Sequence, residues 1–516
     1  MKRRGRKVVC LFFTSYAYPE SLHMKILRSI VALVLIIFVL TLAYVLFNTF
    51  TIGSKQIAAE PVEKIDISSL SIERFSSAIK IQTISPEHSS DFDSIQFNRF
   101  NVFMQNTYPL MDSLLDHKIF NKYSHLYHWK GTDPKLKPVI LMGHLDVVPV
   151  IEANRAYWKE SPFDGKIVND TIWGRGCIDD KIGVIGIMES IEHLLREGFQ
   201  PKRGMFIAFG HDEEIGGVKG AKTMASYLAD QGIKAEFILD EGGTITQGLV
   251  PGIDKDVALI GTAEKGSVSL EISVELEGGH SSMPARETAI DVISKAIFKL
   301  KSNPFPATIS KPVEGFLSYL GPEMPFVNRM AFANKDLFQS MIIGVYEQTA
   351  SGNALVRTTT APTIFNSGLK DNIVPLSAKA TINFRIISGS SINEVIDHIR
   401  EVVDDERIKI KVGNFNTEPS GVSDTEAKGF KTVQRTIAQI FPEALVSPYL
   451  VVGATDARHF NDLSDQLYRF LPTRINKSNV KSFHGLNERI AISEFENAIR
   501  FYVQLIKNAS GEGFGQ

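Results

Sequence analysis

Cysteine is almost missing from this chain: 516 residues contain two, Cys10 and Cys177. An uncharged apolar segment lies between them, so no disulfide framework is available and the fold must rest on its core. An excess of charge of either sign is missing too. The 56 basic and 58 acidic residues nearly cancel, which excludes the broad basic footprint of a nucleic-acid-binding protein. Internal repeats and low-complexity tracts are absent, and so the solenoid and disordered classes drop out. What remains is 44% hydrophobic and 22% charged, the composition of a folded globular protein long enough for two or three domains.

Long uncharged runs are also missing, with one exception. "SIVALVLIIFVLTLAYVLFNTFTIGS", residues 29–54, carries no charge, and about 20 helical residues suffice to cross a hydrocarbon core of about 30 Å. It is expected to span a membrane. Lys2, Arg3, Arg4, Arg6, Lys7, Lys25 and Arg28 precede it, which keeps the N-terminus cytoplasmic and sends the rest to the periplasmic, extracellular or lumenal side. A cleaved signal peptide would show an apolar region of roughly 7 to 15 residues, shorter than this one, although "IAA" at 57–59 offers small residues for cleavage. A start at Met24 would keep Lys25 and Arg28 and the same topology.

Beyond a polar tether at 52–65, the stretch from Leu70 to Ile84 has helical apolar spacing. Short apolar runs then alternate with helical patterns. "PVILMG", "GMFIAFG" and "EFILD" are the runs; "GVIGIMESIEHLLREG" and "GAKTMASYLADQG" are the helices. This is the grammar of an α/β sheet with helices on both faces. Near Gly266 the pattern changes to strict alternation in "SVSLEISVELEG", then a helix from Thr288 to Leu300, and later strand, helix and strand between 378 and 413. A smaller α+β unit, 265–413, is therefore expected to interrupt the larger one, which runs over 66–264 and resumes at 414–516. Within it, 302–357 is rich in proline and is expected only to elaborate the smaller unit.

Open α/β sheets form their sites beyond the carboxyl ends of strands, and the polar residues gather there. "VILMG" ends in His144 and Asp146, "FIAFG" in Asp212, Glu213 and Glu214, and "FILD" in Asp240 and Glu241. Asp179 and Asp180 sit in the glycine-bearing "GRGCIDDKIG" just before a helix. A single loop histidine or adjacent acidic pair is ordinarily structural or solvated. Carboxylates crowded at successive strand ends, however, repel one another unless a cation compensates them, so the pattern as a whole points to a metal site. Histidine with carboxylates and no thiolate suits Zn²⁺, with Co²⁺ or Mn²⁺ able to substitute. Cys177 is expected to pack rather than ligate.

"GHLDVVP", "GRGCIDDKIG", "HDEEIGG", "LDEGG", "EGGHSSMP" and "KSFHGLNE", in this order, resemble the M20 family of metallopeptidases and aminoacylases, most closely its carboxypeptidase S and PM20D1-like branch. The resemblance spans about residues 66–508. It implies a zinc-peptidase-type mixed sheet as catalytic domain and an inserted lid or dimerisation domain. Two Zn²⁺ per subunit are implied, with His144 and His484 each on one ion, Asp179 bridging, Glu214 completing one site and Asp240 the other, Glu241 in reserve. Glu213 would be the general base and Asp146 would orient His144. His280 would help hold the oxyanion, in cis or from a partner subunit of a homodimer. Asn372, Arg385 and Arg458 resemble substrate contacts, with Asp456 beside the last. The implied substrates are small peptides with a free C-terminal carboxylate, or N-acyl amino acids. A non-catalytic binding relative would lack ligands or base, and none is missing.

Overall fold

The computed structural model describes residues 22–60, 62–86, 89–511 and 514. The basic cluster from Lys2 to Lys7, most of the expected cytoplasmic tail and Cys10 lie outside them. The chain divides into two units, 1–52 and 53–516.

The first unit is the helix Leu22–Thr51. Over Met24–Thr51 it is long and apolar enough to cross a membrane. The second unit holds the expected α/β grammar. Its central sheet has ten strands. Asp116–Phe120 forms one edge, followed by Ser124–Trp129, Met205–Gly210, Val139–His144, Ile238–Asp240, Leu467–Arg469 and Val257–Glu264. Beyond these, Leu445–Val451 pairs with Val257–Glu264. Val139–His144 runs parallel to both of its neighbours, so the carboxyl ends of three adjacent strands open on the same side. The strand Val139–His144 is buried along its whole length, which explains its unbroken apolar run. Helices Lys181–Arg196, Ser69–Ile79 and Ile492–Ser510 share the core over one face, with Phe75, Ile182, Ile185 and Phe495 fully buried. Helix Ala221–Asp230 covers the other face.

A separate four-stranded antiparallel sheet follows, in the order Thr359–Ser367, Ser377–Ile386, Gly266–Glu275, Lys409–Thr417. The alternation in "SVSLEISVELEG" becomes the half-exposed strand Gly266–Glu275. Helices Ala289–Ser302 and Ile392–Val403 cover one face around Val268, Leu270, Ile293 and Ile399. Thr288 and Asp291 form a reciprocal capping box at the first of these helices, which stops the chain fraying where it turns from the sheet.

Residues 302–357 depart from expectation. They form four helices, Lys311–Leu320, Phe326–Ala333, Lys335–Tyr346 and Ala350–Val356. Their buried side chains, Val313, Leu317, Leu320, Ala331 and Ile342, join Val257, Leu259 and Leu450 of the ten-stranded sheet. They elaborate the large sheet rather than the small one. The prolines misled the reading because Pro312 sits in a helix's first turn, where its missing N–H costs nothing.

Candidate metal centre

Four loops converge beyond the strand ends, and each is fixed by a buried carboxylate that accepts backbone N–H groups. Asp146, fully buried, accepts from the amides of Glu213 and Glu214, both at 3.1 Å. Asp212 accepts from Lys219 and Gly220, both at 2.8 Å. Glu264 accepts from the Thr455 amide at 3.0 Å, the Thr455 hydroxyl at 2.6 Å and Arg469 Nε at 3.0 Å. Glu488 accepts from the amides of Gly176, Ile178 and Asp179 and from Arg175 Nη1 at 2.7 Å. Arg175 in turn donates to the carbonyl of Gly485, tying the Asp179 loop to the one that carries His484. Sequence reasoning missed Glu488, although it lies four residues after His484 inside "KSFHGLNE".

These loops bring His144, Asp179, Glu214 and His484 together. His144 Nε2 lies 2.9 Å from Asp179 Oδ1, and His484 Nε2 lies 2.9 Å from Asp179 Oδ2 and 3.3 Å from Glu214 Oε2. One ligand atom from each of His144, Asp179 and Glu214 falls within 4.8 Å of the others. Asp179 thus turns one oxygen to each histidine.

The donor set fits a cation. His144 Nδ1 faces the carbonyl oxygen of Asp146 at 3.0 Å; donating there leaves the Nε2 lone pair facing a carboxylate, an arrangement that needs a proton or a metal ion between them. His484 Nε2 likewise faces carboxylates, Asp179 and Glu214, which push its pKa up to about 10. Asp179 is held below the usual carboxylate range by the two histidines despite its burial. Around it, burial drives Asp180, Glu213, Glu214, Asp240, Glu241 and Asp456 upward, and neighbouring carboxylates add to this. Such a cluster holds more negative charge than it can ionise alone.

Two expected residues, Asp146 and Asp240, sit differently. Asp146 meets His144 first through its carbonyl; its carboxylate is 3.4 Å from Nδ1 and chiefly organises the Glu213–Glu214 turn. Asp240 lies outside the converging set, its oxygens taken by the amides of Glu241 at 3.0 Å and Ala457 at 2.7 Å. The charged neighbour that Glu241 feels most strongly is Asp179. Cys177 is buried in the apolar core.

Arg385, from the small sheet, and Arg458, from the large unit, come close enough for Arg458 to add to burial in lowering the Arg385 pKa. Lys265, at the junction between the sheets, is pushed down to about 7 by burial and by Arg385. His280 and Asn372 also meet, because strand Gly279–His280 pairs with Ile373–Val374 and the Ser281 amide donates to the Asn372 carbonyl. Both are exposed. Among the described residues no hydrogen bond or ion pair joins either to the carboxylate cluster.

A mixed sheet with an inserted four-stranded unit, and two histidines sharing an aspartate at its strand ends, are the arrangement of a metal-dependent peptidase. The Peptidase family M20/M25/M40 profile matches residues 140–508, and the chain belongs to that family. It is 40% identical over 90% of its length to a probable carboxypeptidase S-like protein of Dictyostelium discoideum, covering 92% of that protein. It is 39% identical over 85% of its length to the N-fatty-acyl-amino acid synthase/hydrolase PM20D1 of Xenopus tropicalis, again covering 85% of the relative. The fold matches an M20 family metallo-carboxypeptidase from Sulfolobus solfataricus with a TM-score of 0.64, 18% identity and coverage of 85% of this chain and 98% of that one. The protein is an enzyme of the metallopeptidase class.

Proposed function

We propose that this is a membrane-anchored dizinc amide hydrolase that removes C-terminal residues from small peptides. The observation that carries the reading is Asp179 placed between His144 and His484, with Glu213 and Glu214 adjoining on one turn. Two zinc ions would be held by His144, His484, Asp179 and Glu214, with Asp240 and Glu241 the further carboxylates on offer. When bound, zinc supplies Lewis acidity and a water of lowered pKa. Glu213 takes the proton of the attacking water and returns it to the departing nitrogen; its pKa, raised by burial, brings it nearer the working pH. Arg385 and Arg458 suit a free carboxylate, since paired guanidinium groups that repel one another gain from an anion between them.

That carboxylate is shared by peptides and N-acyl amino acids, and the 39% identity to an N-fatty-acyl-amino acid synthase/hydrolase supports the second class as a further reading. The domain boundaries stated above, a lid made of the four-stranded unit within 265–413 without the helices of 302–357 that pack on the ten-stranded sheet, and the cytoplasmic N-terminus complete the proposal. His280 reaches the site by lid movement or from the second subunit of a homodimer.

Two measurements on the full chain in membranes test it. Glu213→Gln should keep its zinc and lose about 10²-fold to 10⁴-fold in hydrolysis; wild type without zinc, or a fully active variant, overturns the mechanism. A panel of dipeptides and long-chain N-acyl amino acids should show the higher kcat/KM for the dipeptides, and the reverse order selects the acyl reading.

A further inference from the structure

The second unit begins, just after the apolar helix, with residues bonded to one particular face of its own body. The helix ends at Thr51, and three residues later Ser54 Oγ donates to Glu323 Oε1 at 2.6 Å. The Lys55 carbonyl accepts from Gln434, and its ammonium lies 5.0 Å from the centre of the Tyr319 ring. The Gln56 side chain bonds both the N–H and the carbonyl of Val446. The first residues of the expected tether are thus laid on the body. Three residues of extended chain span at most about 10 Å, and the 30-residue helix is about 15 Å longer than a hydrocarbon core of about 30 Å, so a bilayer crossed by the helix begins within about 25 Å of Ser54.

Glu323 leads directly into the helices Phe326–Ala333 and Lys335–Tyr346. The second has two apolar faces. Ile342 is buried and Phe338 partly buried in the core beneath the helix, whereas Leu337, Met341 and Val345 are 57%, 49% and 60% exposed. These three recur every fourth residue and therefore form one stripe along the helix. Val327, in the first turn of the preceding helix, is 64% exposed. From Pro325 to Tyr346 the charged residues are Arg329, Lys335 and Asp336 alone. A solvated helix would carry charge on its outer face. An apolar stripe flanked by a few basic residues is instead the pattern of a helix lying in a membrane interface.

We propose that this helical pair is seated in the lipid headgroup and acyl boundary, so that the body is docked on the bilayer that its anchor crosses. The proposal rests on the anchored reading above. Its occupant is the bilayer, because chain connectivity brings lipid to the face where Glu323 and these helices lie.

The test uses the full chain with Cys10→Ser, reconstituted into phosphatidylcholine vesicles that contain nitroxide-labelled lipid. Cysteines carrying an NBD fluorophore are introduced one at a time at Met341 and, separately, at Val345, with the native Cys177 fully buried and left unlabelled. Val39, in the apolar helix, is the positive control. Leu114, exposed beside the opposite sheet edge and about six strand spacings away at about 4.8 Å each, is the negative control. The labels at 341 and 345 should be quenched at least half as strongly as that at 39, with 114 unaffected. Quenching at 39 but not at 341 or 345 retains the anchor and overturns the docking. No quenching at 39 overturns the anchor, and the docking with it. A blue shift at 341 that appears only when several chains share a vesicle, and without quenching, identifies a second copy as the occupant and also overturns the proposal.

Discussion

The strand-end loops and the His280 hairpin both carry polar side chains of the kind hydrolases use, but they are built in opposite ways. Each strand-end loop is pinned by a buried carboxylate, Asp146, Asp212, Glu264 or Glu488, that accepts two or more hydrogen bonds. Among the described residues the His280 ring bonds to Ser282 two residues on, at 2.8 Å from the hydroxyl and 3.1 Å from the amide, and to nothing in the carboxylate cluster. The first arrangement is preorganised, since a charged acceptor holding several amides leaves the loop no alternative of similar energy. The second is free to arrive. On the proposed function, such a site would hold its metal continuously and complete its oxyanion pocket when the hairpin comes in.

The difference can be broken at four points, in descending order of effect. Asp179→Asn removes the charge that both histidines face. Metal content by mass spectrometry and hydrolysis should both fall to background; retention of either would separate Asp179 from the proposed ions. His280→Ala should lower kcat by about 10²-fold to 10³-fold, the usual cost of an oxyanion donor, with metal content and Tm unchanged. Mixing it with Glu213→Gln chains should restore part of the activity if the histidine crosses between subunits, and none if it acts within its own. A drop in Tm would make the hairpin structural instead. Glu488→Gln leaves Arg175 buried without its counter-charge, which should cost about 3–5 kcal/mol. Metal affinity, measured by chelator competition, should weaken about 10-fold to 100-fold through the displaced Asp179 loop.

The smallest effect is the pH dependence after chelation. Glu213, Glu214, Asp240, Glu241 and Asp180 are raised by burial, so their contribution to stability is present below the ordinary carboxylate pKa and lost as pH rises through the folded values. His484, raised to about 10, contributes below its ordinary value near 6.5 and loses that contribution through about 10. Both trends weaken the metal-free protein as pH climbs, and Asp179, lowered, opposes them only in acid. The gap in Tm between metal-loaded and chelated protein should therefore widen by several degrees from pH 5 to pH 9. A constant gap would mean that the cluster does not answer to the cation.

The α/β order and the strand-end cluster were legible because both follow from local patterns: unbroken apolar runs, and polar residues where those runs stop. The helix expected over Thr288 to Leu300 appears as Ala289–Ser302, with Thr288 as its cap. The roles of Asp146 and Glu488 were not legible, because a carboxylate that accepts amides and one that faces a metal look identical in sequence. Only the burial and direction of the side chain distinguish them. The helices between Lys311 and Val356 were hidden by proline, and their packing partner lies on strands far away in the chain.

The Gln56 side chain has a further effect. Among the described residues the strand Leu445–Val451 has one pairing partner, so its outer side is an open edge. Val446 turns its N–H and carbonyl outward there, and Gln56 occupies both. Two residues on, the outward position is Pro448, which has no N–H to offer. One amide side chain and one ring therefore close this margin against recruitment of a foreign strand, which shields the protein from β-aggregation at this edge.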